Sequence, residues 1–150
     1  MQELAEKYQI ATQEFLNLVA QISPNQLDKA DKEGWTPRQV IHHLADSEAQ
    51  SYSRLRRLIA EPGSLIQGYD ENKWAESSQL GYKSEDVQSS LEVFKAVRQA
   101  SYELIKRLSE KDLELSGAHS ESGAYSVGKW IKTYINHPLD HANQIRAQIK

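Results

Sequence analysis

Apolar residues recur every three or four positions over four long segments of the chain, which is the pattern of amphipathic helices. These segments are residues 3–22, 37–60, 84–108 and 126–150. The sequence shows no alternating strand pattern and no internal repeat. The hydrophobic pattern therefore predicts an all-α fold, a four-helix bundle with a long connection between its second and third helices.

The second helix has the clearest start signal in the sequence. Thr36 can cap its N-terminus, Pro37 fits the first helical position, and Gln39 completes a capping box with Thr36. Pro62 and Gly63 then close the element. The direction of each polar side chain on this helix can therefore be read from its position.

The connection 64–83 is unusually long for a compact domain. It is interpreted either as a binding loop or lid, or as a crossover that packs Trp74 and Tyr82 over the end of the bundle. The third helix is expected to follow directly, with Ser84 as its N-cap. His119, in a later loop, could approach a site or simply be exposed.

Composition and charge narrow the class of protein. With 150 residues, 39% hydrophobic and 26% charged, the chain is expected to form one globular domain over residues 1–150. No apolar run approaches the ~18 residues that a membrane span needs. A net charge of −3 gives no electrostatic reason to expect nucleic acid or an anionic lipid surface as a partner.

The chain contains no cysteine, which excludes a cysteine nucleophile, a disulfide framework and a thiolate zinc site. Any metal ion must be held by nitrogen and oxygen. The N-terminus lacks the pattern of a secretory signal, so the cytoplasm is the expected compartment. In the linker between the first two helices, Asp31, Lys32 and Glu33 are interpreted as solvated surface.

Histidines carry the candidate chemistry. His137 and His141 lie four residues apart on the apolar face of the last helix, so both can bind one metal ion. His43 lies on the flank of the apolar stripe of the second helix, whereas His42 is expected to point to solvent. Pro138, between the pair, is expected to kink the helix near Tyr134 and so to open the bundle near the histidines. The alternative is that the pair is buried, neutral and hydrogen-bonded for structural reasons.

His43, His137 and His141 together would form a three-histidine site, an arrangement that leaves one coordination position open. Neutral imidazole suits zinc, nickel, copper or iron and does not select among them. The chemistry that follows is Lewis-acid polarisation, or activation of water or a thiol as a nucleophile. Glu48 falls within the apolar stripe, where a carboxylate must be paired, hydrogen-bonded or bound to a metal.

Three segments together resemble the DinB/YfiT-like superfamily: residues 35–48 (WTPRQVIHHLADSE), residues 69–75 (YDENKWA) and the pair at 137 and 141. The resemblance extends over nearly the whole chain in order. It implies an up-and-down-like helical bundle with a long crossover, and a divalent metal ion bound by three histidines, here His43, His137 and His141. Members are commonly labelled metal-dependent hydrolases, and many are dimers, so a homodimer acting on a small-molecule substrate is implied.

The better-understood members resemble transferases that use a low-molecular-weight thiol such as bacillithiol or mycothiol. The leading hypothesis is therefore a metal-dependent enzyme, with Zn²⁺ or Ni²⁺ as the expected ion, that transfers such a thiol to an electrophile. Glu48 or Asp46 would orient ligands or handle a proton. Two alternatives stay open, a hydrolase that uses a metal-activated water molecule and a non-catalytic bundle that binds a metal or ligand in a stress response.

Overall fold

The computed structural model describes residues 1–30 and 34–149, so the expected solvation of Asp31, Lys32 and Glu33 lies outside the described residues. The helices are α1 (Gln2–Val19), α2 (Pro37–Ala60), α3 (Glu71–Glu76), α4 (Gln88–Arg107) and α5 (Val127–Gln148). Short 3₁₀ turns span Pro24–Gln26, Ser78–Leu80 and Glu110–Glu114, and the strands are β1 (Leu65–Ile66), β2 (Ser116–His119) and β3 (Gly123–Ser126). The four long helices confirm the predicted bundle.

Two apolar clusters show how the long helices run. One cluster joins the start of α1 and α5 to the end of α2 and α4, and the other joins the opposite ends. α1 and α5 therefore run in one direction, and α2 and α4 run in the other. Within each pair the two helices pack side by side, and between the pairs α1 packs against α4 while α5 packs against α2. α1 therefore lies diagonally opposite α2. This order differs from a simple up-and-down bundle, in which consecutive helices are neighbours.

The long connection follows from this arrangement. α2 and α4 are parallel neighbours, so the chain must travel back along the bundle between them. Residues 61–87 make this crossover, and they contain α3. The crossover packs Tyr82, which is 1% exposed, against the bundle, while Trp74 is half-buried. The sequence predicted the crossover but not its short helix.

A small sheet covers the end of the bundle where the crossover begins. Its strand order is β1-β2-β3, with β1 parallel to β2 and β2 antiparallel to β3. A Cβ atom on Gly117 would lie 2.4 Å from the carbonyl oxygen of Ser64, so this close pairing requires a glycine. The hydrophobic pattern did not predict the sheet because its strands contain only two to four residues.

The structure confirms one predicted helix start and corrects another. Thr36 and Gln39 form the predicted capping box at α2. Ser84 does not cap the third long helix, which begins at Gln88, because residues 81–84 form a turn. In that turn the amide of Glu85 donates to the carbonyl of Gly81 at 2.9 Å. No helix within residues 1–30 and 34–149 is long and apolar enough to cross a membrane.

Candidate metal centre

Two helices bring the three predicted histidines together. His43 lies in the second turn of α2, whose start is fixed by the Thr36 cap. His137 and His141 lie on successive turns of α5, and ligand nitrogens of all three rings lie within 4.8 Å of one another. Nε2 of His137 is 3.3 Å from Nε2 of His43 and 3.1 Å from Nε2 of His141. The rings therefore converge through one nitrogen each.

These separations match a metal site. Two nitrogens that each lie about 2.0–2.1 Å from a tetrahedral zinc ion are about 3.3 Å apart. The measured 3.1 and 3.3 Å fall close to this value. Three histidines of one tetrahedron leave one position open, which is typical of catalytic rather than structural sites.

Hydrogen bonding alone does not satisfy the three rings. Nδ1 of His141 lies 2.7 Å from Oε1 of Gln144, which accepts only from a protonated Nδ1, so Nε2 of His141 carries a lone pair. Both short contacts involve Nε2 of His137, and one proton on that atom can serve only one of them. A cation at the point of convergence would be bound by all three lone pairs. The donor set therefore fits a metal ion.

Burial keeps the three rings neutral, which is the form that binds metals. Burial, followed by repulsion from His141, lowers the pKa of His43 from 6.5 to about 3. Burial lowers the pKa of His137 well below 6.5, with added repulsion from His141, His43 and Arg98. Burial also lowers the pKa of His141, although its hydrogen bond to Gln144 opposes the shift. Near neutral pH the rings do not need to lose protons before they can bind an ion.

The walls of the centre are aromatic on one side and open on another. The indole of Trp35 packs on His43 with the ring centroids 4.8 Å apart, and His43 is fully buried. His137 instead reaches a cleft of about 300 Å³. The cleft is lined by Ser47 and Arg54 of α2, Gly68, Tyr69 and Glu71 of the crossover, His119, Glu121, Ser122 and Tyr125 of the hairpin and its turn, and Lys129, Thr133, Tyr134 and His137 of α5. The cleft gives a small molecule access to the histidines.

Glu71 is the functional candidate that the sequence did not identify. Its Oε2 lies 4.0 Å from Nε2 of His43, and it is the one carboxylate of the described residues within that distance of the cluster. Burial raises the pKa of Glu71, with further increases from the nearby charges of Glu121 and Asp70. Glu71 opens α3 after the Asp70 cap. Two sequence signals pointed to this region, the unusual length of the connection and the segment 69–75 that carries the family resemblance, but neither singled out Glu71.

The two carboxylates predicted to assist the site lie elsewhere. Oε1 of Glu48 accepts from Arg98 at 2.7 Å and Oε2 accepts from Ser51 at 2.9 Å, with both charged side chains fully buried. Oδ2 of Asp46 accepts from the hydroxyl of Tyr82 at 2.6 Å. The structure does not bring either group to a histidine nitrogen. Their predicted catalytic role therefore lacks a contact that would support it.

The two histidines outside the cluster, His42 and His119, lie in different surroundings. The prediction that His42 points to solvent is wrong, since it is 6% exposed. Its Nδ1 lies 2.8 Å from Oγ of Ser90 and its Nε2 lies 3.2 Å from the carbonyl of Glu85, so this ring is a satisfied core residue. His119 lies in the cleft wall, half-buried, so it approaches the site without joining the cluster.

Comparison with known proteins shows the family to which this chain belongs. The family model described as the DinB superfamily matches residues 7–145. A protein of Oceanobacillus iheyensis with the name "Putative metal-dependent hydrolase" is 38% identical over 135 residues, which cover 89% of this chain and 77% of that protein. A Bacillus cereus protein with the same name is 33% identical over 135 residues, covering 81% of this chain and 76% of its own.

A solved structure has the same architecture. YfiT from Bacillus subtilis, described as "a probable metal-dependent hydrolase with an unusual four-helix bundle topology", superposes with a TM-score of 0.88 at 25% sequence identity. The match covers 98% of this chain and 84% of that chain.

Proposed function

Since this chain belongs to the DinB superfamily, we propose that it is a metal-dependent enzyme whose three-histidine centre activates a nucleophile against a small molecule held in the cleft. The observation that carries the proposal is the convergence of three Nε2 atoms, together with the position of His137 in the wall of that cleft. His43, His137 and His141 would hold a divalent ion, for which we propose Zn²⁺ or Ni²⁺ from among the ions that imidazole nitrogen suits. When bound, the ion would supply Lewis-acid activation of water or of a thiol.

Glu71 is suited to move the proton of the nucleophile. Its Oε2 lies 4.0 Å from Nε2 of His43, and Glu71 lines the same cleft as His137. A nucleophile in the cleft beside the histidines would therefore be close to this carboxylate. Partial burial raises the pKa of Glu71, and the nearby charges of Glu121 and Asp70 raise it further. A carboxylate of this kind can accept a proton as the nucleophile reacts and return it to the leaving group.

Arg54 is suited to orient an anionic group of the substrate or co-substrate. Its Nη2 donates to the carbonyl of Gln67 at 2.8 Å and its Nη1 donates to the hydroxyl of Tyr134 at 3.4 Å, so the guanidinium is held at the cleft wall. Its Nε is buried without a hydrogen-bond partner. A carboxylate entering the cleft would satisfy this donor.

The reaction we favour is transfer of a low-molecular-weight thiol, bacillithiol-like in type, to an electrophilic substrate. A thiolate is a stronger ligand than water for a zinc or nickel ion, and coordination keeps it deprotonated. A thiol compound that carries a carboxylate would also accept a hydrogen bond from the unpaired Nε of Arg54. In this reaction the thiol proton leaves to Glu71, the sulfur bonds to the electrophilic carbon, and the leaving group departs with its electron pair.

Hydrolysis is the second candidate, and the names of the two relatives favour it. In that reaction water replaces the thiol, and Glu71 keeps the same role. The two reactions are separated by loading the protein with one metal and comparing ester and amide hydrolysis with thiol conjugation to an electrophile. Conjugation without hydrolysis supports the transferase, and hydrolysis without conjugation supports the hydrolase. If the metal-loaded protein shows neither activity, the result contradicts catalysis and favours non-catalytic binding.

The Glu71 role has its own test. Glu71→Gln should lower the turnover number about 10²- to 10⁴-fold, as expected for a lost general base, while the metal content stays unchanged. Glu76→Gln is the matched control, because Glu76 lies at the other end of the same short helix and pairs with Lys83 on the surface. Equal activity of the Glu71→Gln variant and the control would exclude Glu71 from catalysis.

A further inference from the structure

Pro138 lies in the middle of α5, between two of the candidate ligands. The helix nevertheless runs unbroken from Val127 to Gln148. A proline has no amide proton, so the carbonyl four residues earlier loses its helical partner. In α5 that carbonyl belongs to Tyr134, which is 3% exposed, and a buried carbonyl without a partner is costly.

Arg98, on α4, supplies the missing donor. Its Nη1 donates to the carbonyl oxygen of Tyr134 at 2.9 Å. The same nitrogen donates to Oε1 of Glu48 at 2.7 Å, and both charged side chains are fully buried. The proline in α5 and the buried cation in α4 are therefore joined through one hydrogen bond.

Two other helices fix the guanidinium. Nε of Arg98 donates to Oγ1 of Thr12, and Nη2 donates to the carbonyl of Tyr8 at 2.9 Å. The ring of Tyr8 lies 3.7 Å from the guanidinium carbon. With Glu48 on α2, these contacts hold Arg98 from three directions. The donor that reaches the Tyr134 carbonyl is thus rigid.

We propose that Arg98 is a positioning residue of the histidine centre, which holds the carbonyl freed by Pro138 and so sets the place of His137 relative to His43. His137 follows Tyr134 by three residues, about one helical turn. Nε2 of His137 is the atom common to both short contacts in the cluster, so a shift of this turn changes both separations. The inference rests on the proposed metal centre.

A purely structural role is the competing explanation, in which Arg98 only balances the buried charge of Glu48. Pro138→Ala distinguishes the two, because alanine at this position restores an amide that can donate to the Tyr134 carbonyl. Positioning through that carbonyl then becomes redundant. Charge balance between Arg98 and Glu48 is not affected by this substitution.

The test measures Co²⁺ binding in a four-protein cycle. The proteins are the natural chain, the paired variant Glu48→Gln with Arg98→Met, the single variant Pro138→Ala, and the combination of all three changes. The paired change leaves no buried charge behind. The readouts are the dissociation constant, from competition with a chelator, and the visible absorption spectrum of the bound ion.

The paired variant should bind Co²⁺ about 10- to 100-fold more weakly than the natural chain, because loss of groups that orient metal ligands typically has an effect of this size. Its visible absorption spectrum should also change. In the Pro138→Ala background most of this loss should disappear. Natural affinity and spectrum in the paired variant would overturn the proposal. An equal loss in both backgrounds would also overturn it, since Arg98 would then act by a route other than the carbonyl.

If the paired variant does not fold, Arg98→Lys takes its place in both backgrounds with the same criteria, because lysine keeps a cation beside Glu48 but lacks the planar fork. The natural chain is measured first. Absence of Co²⁺ binding there would contradict the metal centre and this inference together. Binding by the natural chain with no effect of the cycle would contradict the positioning role alone.

Discussion

Two polar clusters lie side by side in this bundle, one fully buried and one partly buried, and they differ in how their hydrogen bonds are satisfied. In the first, both oxygens of Glu48 and all three nitrogens of Arg98 have partners. In the second, three imidazoles point one nitrogen each at a common place, with too few protons for the contacts they make. Nδ1 of His43 and of His137 is buried without a partner.

The difference teaches how to separate a structural cluster from a functional one. A buried polar group is tolerated when its hydrogen bonds are made inside the protein, and Arg98 with Glu48 meets that condition. A cluster that would be completed only by a ligand indicates a binding site. Residues of the same polarity, close together in the same core, therefore lead to different conclusions.

The largest expected effect concerns the incomplete cluster. His141→Ala should reduce the metal content of the purified protein from one ion per chain to none, because two imidazoles remain. Elemental analysis after dialysis measures this. His42→Ala is the matched control, since His42 is a buried histidine of α2 outside the cluster, and it should keep the ion. Full metal content in His141→Ala would break the distinction between the two clusters.

The complete cluster should instead determine stability. Arg98→Met leaves Glu48 charged and buried, and should lower the free energy of unfolding by about 3–5 kcal/mol. Adding Glu48→Gln should recover much of the loss, because no lone buried charge remains. Urea unfolding of the metal-free proteins measures both.

The surface ion pair of Arg146 with Glu14 gives the control for the buried pair. Its atoms lie 2.9 Å apart with both side chains about two-fifths exposed. Arg146→Met should therefore cost less than about 1 kcal/mol. A loss in Arg98→Met no larger than this would contradict the structural assignment of the buried cluster.

The pH dependence of the metal-free protein should come from the histidine cluster. The folded-state pKa of His43 is about 3, below the value of 6.5 expected in the unfolded chain, so the unfolded state binds protons first. The stability due to the neutral ring is complete above pH 6.5 and is lost as the pH falls toward 3. Each such histidine contributes up to about 1.4 kcal/mol per pH unit.

Unfolding curves of the natural chain and of His43→Gln, measured between pH 7 and about pH 5, test this. The natural chain should lose more stability than the variant over this range. Parallel curves would mean that His43 is as easily protonated in the folded protein as in the unfolded one. The buried histidine cluster would then not be held neutral.

The sequence predicted those features that depend on one helix at a time. The capping box of Thr36 and Gln39 and the shared face of His137 and His141 follow from local signals and helical periodicity. The meeting of His43 with this pair was a hypothesis that the family resemblance also implied, and the structure brings the three rings together. Glu71 could not be predicted, since its approach to His43 depends on the path of the crossover. Arg98 interrupts the apolar face of its helix, but its partners lie on three other helices that the pattern does not order.

A small effect on stability is expected at His42. The prediction that this ring faces solvent was wrong, because helical periodicity gives the side of α2 on which a residue lies but not what packs over that side. The residues preceding α4 cover this ring, and Ser90 and the carbonyl of Glu85 satisfy both of its nitrogens. His42→Gln should lower the free energy of unfolding by about 1 kcal/mol, since glutamine can retain only part of this hydrogen bonding. His43→Gln, the change at the next position, should remove the metal ion instead. Urea unfolding and elemental analysis of the two variants test whether His42 serves stability and His43 serves metal binding. Loss of the ion in His42→Gln would contradict this assignment.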